Sequence, residues 1–189
     1  MDLKGKKSIV IGMGKTGIAA AAFLGARGAS VVAVDEKPAA EWGEAYSRIA
    51  ASPWLSVGRY DASVLAGADL IVPSPGIPPR NAILAAAQAA GLPILSEIEL
   101  AYRHLRVPLI AVTGTNGKTT TTTLLGEMLR AAGKKVFVGG NIGNPLIEYA
   151  NSAQADDVVV AEISSFQLQW IESFRPHVAL LLNITCDHI

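Results

Sequence analysis

The chain has 189 residues, half of them hydrophobic and 17% charged, a composition that supplies a packed core and excludes an intrinsically disordered protein. Its 16 basic and 16 acidic residues cancel, so no net charge draws it to DNA, RNA or an anionic membrane surface. Cys186 is the single cysteine, which rules out an internal disulfide and suits a reducing compartment.

The chain opens "MDLKGKKSIVIGMG", whose apolar stretch is short and breaks at glycine, as a first strand does and a secretory signal does not. "TGIAAAAFLGARG" then reads as a helix and "SVVAVD" as the next strand. Residues 36–60 carry no clean period, although "AEWGEAYSRIA" suggests a helix. "ADLIVPSPG" is a strand and turn, "RNAILAAAQAAG" a helix, and "LPILS" a further short strand. Continuous apolar strands alternating with helices predict a parallel sheet covered on both faces.

The pattern then restarts. "EIELAYRHLRVP" is a connecting helix, and "LIAVTG" opens a second series. Its helix is expected to place Leu124, Leu125, Met128, Leu129 and Ala132 on one face and to end at Gly133. "KVFVGGNIG", "DDVVVAEISSF" and "HVALLLNIT" read as three more buried strands. The expected fold class is α/β: a Rossmann-like parallel-sheet domain over 1–96, followed by a truncated P-loop ATPase α/β domain over 97–189. The chain stops after a strand and the polar cluster "NITCDHI", where a domain would ordinarily continue through a helix, so a truncated protein is expected. No apolar run approaches the ~20 residues of a membrane helix, and a soluble cytoplasmic protein follows as the expectation.

Two glycine loops carry the chemistry. "IGMGKTG" places Gly12, Gly14 and Gly17 in G-x-G-x-x-G spacing between strand and helix. The first allows a tight turn, the second lets a ligand approach the backbone, and the third lets the helix pack closely. The helix start then offers N–H groups to a diphosphate, and Asp35 ends the next strand where a carboxylate binds a ribose hydroxyl. A dinucleotide such as NAD and a nucleotide diphosphate attached to another group both fit, as does a glycine turn needed only for packing. Lys37 suits a phosphate contact or a solvated turn, and Ser74 in "SPG" suits either a ligand edge or a proline turn.

The second loop, "VTGTNGKTTTTT", has Val112 where a full G-x-x-x-x-G-K-[ST] motif has glycine, yet keeps its essential parts. Gly114, Thr115, Asn116 and Gly117 form a backbone able to curl around phosphate, Lys118 adds positive charge, and Thr119 and Thr120 begin the helix. The Thr119 hydroxyl suits a Mg²⁺ ion bridging ATP phosphates, and the later threonines only continue the helix. Glu162, at the end of "DDVVVAE", is the carboxylate placed beside that metal, whereas Asp156 and Asp157 precede the strand as turn charges. His188 and Asp187 end the next strand, where the imidazole suits a phosphate, a loop carbonyl or a metal. His104 and His177 lack such a placement.

"VTGTNGKTT", "GMGKTG", "SPGIP", "GGNIGNPL", "AEISSFQL" and "LNITCDH" together resemble the Mur ligase family, in order and through essentially the whole chain. The resemblance implies a uridine-diphosphate-binding domain, a central ATPase domain and a third domain that recruits an amino acid. It implies bacterial, cytoplasmic peptidoglycan-precursor synthesis with ATP and Mg²⁺. The substrates would be UDP-N-acetylmuramoyl-L-alanine and D-glutamate, joined through an acyl phosphate.

Carried over by residue, the resemblance puts Lys118 and Thr119 on the phosphates and magnesium, with Glu162 as a metal ligand and His188 helping a second ion. It puts Asn141 and Ser164 near the muramoyl-alanine substrate, which makes Lys118, Asn141 and His188 the expected catalytic set. Gly14, Lys15, Thr16, Asp35, Lys37 and Ser74 would face the UDP part. Glu36-Lys37 stand where a hydroxyl and an arginine are more typical, and Cys186 where the family commonly has an acidic or small residue. The family's modified lysine and amino-acid-binding domain would fall beyond Ile189, so this chain is expected to keep the UDP site without catalysing ligation.

Three other functions compete. An NAD-dependent oxidoreductase explains the first loop and leaves the second idle. A P-loop nucleotide-binding module does the reverse, and a folylpolyglutamate synthase-like ligase would not begin with this first domain. Two anion loops in one chain fit a reaction between ATP and a diphosphate-bearing substrate.

Overall fold

Strands form where β-branched runs occur, and in the computed structural model, which describes residues 1–152 and 155–185, all pair in parallel. The chain divides into two units, Met1–Glu97 and Ile98–Ile189.

In the first unit Lys7–Ile11 (β1), Ser30–Val34 (β2), Leu55–Val57 (β3) and Leu70–Pro73 (β4) form a sheet in the order β3-β2-β1-β4. Lys15–Ala26 (α1) crosses from β1 to β2, and Gly43–Ser47 (α2) precedes β3. Ala82–Ala89 (α3) follows β4, with the Asn81 side chain capping its start. Ile9, Val10 and Ile11 are fully buried, as are Phe23 and Leu24 of α1, so the core lies between that strand and helix. The chain runs from β1 outward through β2 and β3, then returns to β4 on the other side of β1. The C-terminal ends of β1 and β4 therefore flank the point where strand order reverses, the ligand crevice of open α/β sheets.

In the second unit Glu97–Tyr102 (α4) leads into Leu109–Thr113 (β5), Lys118–Ala131 (α5) and Val136–Gly140 (β6). Leu146–Ala150 (α6), Val158–Glu162 (β7) and Val178–Leu181 (β8) follow, and the sheet order is β6-β7-β5-β8. The ends of β5, β6, β7 and β8 lie along one sheet edge, which gathers Gly114, Asn141, Glu162 and Asn183. Glu99 anchors α4 to the rest of this unit. Its buried carboxylate accepts from Arg103 Nε at 2.6 Å and from the backbone N–H groups of Glu172, Ser173 and Phe174 at 2.8–3.0 Å.

Several sequence expectations are corrected. The buried face of α5 is made by Thr122 and Gly126, with Leu125 and Leu129 packed beside the core, while Leu124 and Met128 are 58% and 60% exposed. A Cβ at Gly126 would run into the Val138 side chain, so a small residue lets the helix lie close to β6. The threonines therefore do more than continue the helix, since Thr122 is fully buried. β8 is an exposed edge strand, not a buried one, with Val178 and Leu181 at 50% and 62% exposure. "LPILS" makes only an isolated bridge from Ile94 to Ile71. The helix expected over 40–50 is split by Gly43 at φ 81°, and the three-residue β3 follows it. No helix among the described residues is long and apolar enough to cross a membrane.

Candidate functional site

The β1–α1 loop is shaped by glycine and pinned by side chains from the neighbouring strand ends. Gly12 has φ 87°, and a Cβ at Gly17 would fall onto the Gly12 carbonyl oxygen, so both positions need glycine for the tight turn and the close helix. A Cβ at Gly14 would meet nothing within 4 Å, so that backbone faces open space. The Asp35 carboxylate accepts from Met13 N–H at 2.5 Å and from Lys37 N–H at 2.9 Å. The Ser74 hydroxyl donates to the Gly12 carbonyl at 2.6 Å. Gly14 is the N-cap of α1; no side chain caps it and no acidic residue lies in the first turn. The helix start thus retains its partial positive charge for an anion.

Gly14 and Lys15 are exposed and Thr16 is half-buried at this helix start, while Lys37 is exposed beyond β2. Sequence reasoning missed Tyr60 and Asn81. The Asn81 amide donates to the Tyr60 hydroxyl at 2.7 Å. Burial raises the Tyr60 pKa, the Asn81 bond opposes it, and the Glu36 and Asp35 carboxylates add to the rise, which places this phenol beside both acids. Asn81 carried a sequence signal, since asparagine before an apolar run is a helix cap. Tyr60 carried none.

The β5–α5 loop is built differently. Gly114 and Gly117 take φ 142° and 83°, and Gly117 is the uncapped start of α5, again with no acid in the first turn. Lys118 Nζ folds back to donate to the carbonyls of Gly114 at 2.7 Å and Thr115 at 3.0 Å. Thr119 Oγ1 donates to Glu162 Oε2 at 2.7 Å, and Asn141 Nδ2 donates to Glu162 Oε1 at 2.8 Å. Glu162 is 2% exposed, and both its oxygens accept from neutral donors. Gly140, at φ 100°, lets β6 approach so closely that any Cβ would strike the Glu162 carbonyl, and Asn141 N–H bonds that same oxygen at 2.8 Å.

These groups border a cavity of about 550 Å³ lined by Gly114, Thr115, Lys118, Asn141, Ser164 and Asn183, among others. Thr120 is exposed in the first turn of α5, next to this loop. The Ser164 hydroxyl is engaged with Gln167 Oε1 at 3.1 Å, which seats the 3-10 turn after β7. Asp157 accepts from Lys135 N–H at 3.0 Å and His177 Nδ1 from Leu109 N–H at 3.2 Å, both structural ties. Cys186, Asp187 and His188 lie outside the described residues.

A buried carboxylate beside a threonine hydroxyl offers hard oxygen donors. Magnesium commonly takes one or two carboxylates together with waters and phosphate oxygens. Among the described residues no group of three or more His, Cys, Asp or Glu side chains is arranged to hold a metal. Glu162 and Thr119 therefore fit an ion that arrives with a phosphate ligand.

Residues 6–96 match the family described as Mur ligase MurD-like, N-terminal domain, and residues 112–189 match the Mur ligase middle domain. The chain is 52% identical to a UDP-N-acetylmuramoylalanine--D-glutamate ligase of Syntrophus aciditrophicus, covering 100% of this chain and 42% of that protein. A protein of the same description from Trichlorobacter lovleyi is 50% identical over 100% of this chain and 43% of its own length. The chain thus spans about two fifths of the length of these relatives.

Among solved structures, a UDP-N-acetylmuramate:L-alanyl-gamma-D-glutamyl-meso-diaminopimelate ligase from Neisseria meningitides aligns over 97% of this chain and 62% of its own. Its TM-score is 0.55 at 24% identity. The UDP-N-acetylmuramate-alanine ligase of Thermotoga maritima aligns over 97% of this chain and 42% of its own, with TM-score 0.53 at 23% identity. Both likenesses speak for the fold. With both of its parallel-sheet units matched in order, residues 6–96 to a MurD-like N-terminal domain and residues 112–189 to a Mur ligase middle domain, the chain belongs to the Mur ligase family.

Proposed function

We propose that this chain supplies the UDP-substrate and ATP-binding domains of a bacterial, cytoplasmic ligase that joins D-glutamate to UDP-N-acetylmuramoyl-L-alanine in peptidoglycan precursor synthesis. One observation carries the reading. A single chain holds two uncapped, glycine-started helices at the ends of two separate parallel sheets, and the second has beside it a lysine folded onto its loop and a carboxylate, Glu162, that is 2% exposed.

In this reading the first loop holds the diphosphate of the UDP substrate on the N–H groups at the start of α1. Lys15, Thr16, Asp35, Lys37 and Ser74 surround it, with Asp35 and Ser74 acting chiefly by fixing the loop. The second loop, Gly114 to Thr120, holds ATP. Lys118 leaves its two loop carbonyls for the phosphates, which replaces two neutral acceptors by charged ones. Glu162 and Thr119 would hold Mg²⁺, whose charge neutralises phosphate oxygens during transfer. Asn141 orients Glu162 and, with Ser164, is assigned to the carboxyl end of the acceptor substrate.

The chemistry proceeds in two displacements. A carboxylate oxygen of the acceptor attacks the γ-phosphorus of ATP, and the bond to the ADP oxygen breaks. The amine of D-glutamate then attacks the carbonyl carbon of the acyl phosphate, inorganic phosphate leaves with the C–O bond pair, and the amine loses a proton to give the amide. Lys118 favours the first step by balancing negative charge that spreads over the phosphoryl oxygens.

A calorimetric titration of the 189-residue chain with UDP-N-acetylmuramoyl-L-alanine, and separately with NAD, tests the reading. Saturable heat with the UDP compound and none with NAD is expected. The reverse result would return the first loop to dinucleotide chemistry.

A further inference from the structure

The segment leaving β8 clamps the nucleotide loop from a distance of 67 residues in sequence. Asn183 Oδ1 accepts from Asn116 N–H at 2.9 Å, and Asn183 Nδ2 donates to the Asn116 carbonyl at 3.0 Å. The Asn183 carbonyl accepts from Thr115 N–H at 3.0 Å. Next to it, Thr185 N–H donates to Thr115 Oγ1 at 3.0 Å. The two segments run so close that a Cβ at Gly114 would sit 3.1 Å from the Asn183 carbonyl oxygen and 3.1 Å from Leu182 Cβ.

A carboxamide is the short side chain that matches this arrangement, because it offers one acceptor and one donor to the N–H and C=O of a single residue. An aspartate keeps the acceptor and sets a negative oxygen against the Asn116 carbonyl. An alanine leaves both groups of Asn116 to water. The clamp also divides the donors of the loop. Thr115 and Asn116 N–H point to Asn183, whereas Thr121 N–H makes the first helical bond of α5 to the Gly117 carbonyl. Helix geometry places the N–H groups of Lys118, Thr119 and Thr120 ahead of that bond, without intrahelical partners.

We propose that Asn183 is a positioning residue for the nucleotide loop. It commits the N–H groups of Thr115 and Asn116 to the β8 exit, so that phosphates are met by the N–H groups at the start of α5. This rests on the reading that the loop binds ATP. It changes the roles expected of Thr115 and Asn116, which hold the loop's shape and do not cradle phosphate through their N–H groups. It also makes the end of β8 part of the ATP site.

The test is amide hydrogen exchange by NMR on the 189-residue chain, with and without Mg·ATP, for the wild type, Asn183→Ala and Asn183→Asp. In the wild type the Thr115 and Asn116 amides should exchange slowly in both states, while Lys118 and Thr119 amides shift on adding Mg·ATP. Asn183→Ala should expose the Asn116 amide and weaken the ATP Kd about tenfold, the scale of one or two lost hydrogen bonds. Its Gly12 to Gly17 resonances should be unchanged.

Asn183→Asp keeps the acceptor for the Asn116 N–H, so it should preserve that protection and still lose ATP affinity. It decides the matter if the alanine variant fails to fold. Wild-type binding of Mg·ATP that either folded variant matches would overturn the proposal, as would fast exchange of Asn116 in the wild type. Failure of the wild type to bind Mg·ATP would instead remove the ATP reading, and the exchange data without nucleotide would still decide the clamp.

Discussion

The two glycine loops occupy equivalent places in two parallel sheets and solve one problem by different means. In the first, Asp35 and Ser74 reach across from neighbouring strand ends and spend their polar atoms on the loop itself. In the second, Asn183 bonds the loop backbone at Asn116, while Lys118 folds onto two loop carbonyls and Glu162 holds Thr119 and Asn141 at its edge. The first loop offers a held backbone and a helix dipole; the second adds Lys118 on the loop and the buried Glu162 beside Thr119. A site that binds needs the former, and a site that transfers a phosphoryl group needs both.

Removing the charge from each loop should therefore have unequal consequences. In the full-length ligase proposed above, Lys118→Ala should lower turnover by about 10³-fold, as loss of a preorganised charge at a reacting phosphate does. Its thermal stability should change by no more than about 1 kcal/mol, since the side chain's native partners are two loop carbonyls. Lys15→Ala should weaken the UDP substrate less than about tenfold, because the backbone and helix dipole remain. Steady-state kinetics on the two variants measures the contrast, and equal losses would erase it.

The units should also differ in acid. The ion pairs of the first unit, such as Lys6–Asp69 and Arg48–Glu44, are exposed and contribute little. In the second, burial raises the Glu99 pKa, but the Ser173 hydroxyl, Arg103 and the backbone N–H groups of Glu172 and Ser173 outweigh it and bring the group from 4.5 to about 2. A depressed carboxylate pKa means that this stabilisation is complete above about 4.5 and is lost as pH falls towards 2. Glu99→Gln should destabilise the second unit by about 3 kcal/mol near neutrality, because the buried carboxylate that accepts from Arg103 and from three backbone N–H groups is lost, while Arg103 keeps Glu172. It should also flatten the unit's acid sensitivity. Unit-resolved hydrogen exchange against pH checks this, and an acid loss in the second unit as steep in the variant as in the wild type would contradict it.

A smaller effect is expected at the metal. Glu162→Gln keeps an acceptor for Thr119 and removes the charge, so the Mg²⁺ concentration for half-maximal ATP binding should rise about tenfold. An unchanged magnesium midpoint would place the ion elsewhere.

The alternating β and helical runs, and both glycine loops with Lys118 and Glu162, were legible because period and spacing carry them locally. The buried face of α5 was not, because Thr122 and Gly126 make it, and small residues give no apolar stripe to read. β3 is three residues long, one of them polar, too short for a period. Asn183 stood in the quoted cluster "NITCDHI", but its pairing with Asn116 gave no signal, because only the β5–β8 pairing brings the two together across the sheet edge. Asp35 follows β2 beside the loop as expected, but its bond to Met13 N–H follows from the turn at Gly12 and its bond to Lys37 N–H from its own local turn, neither of which spacing specifies.

The central claim is that one chain holds two separate nucleotide sites. It is tested most directly by titrating the 189-residue chain with Mg·ATP in the absence and then the presence of saturating UDP-N-acetylmuramoyl-L-alanine, following backbone amides by NMR. The expected result is that Mg·ATP shifts Gly114 to Thr120, the UDP compound shifts Gly12 to Gly17, and neither displaces the other. Competition between the two ligands, or both acting on the same loop, would contradict the account.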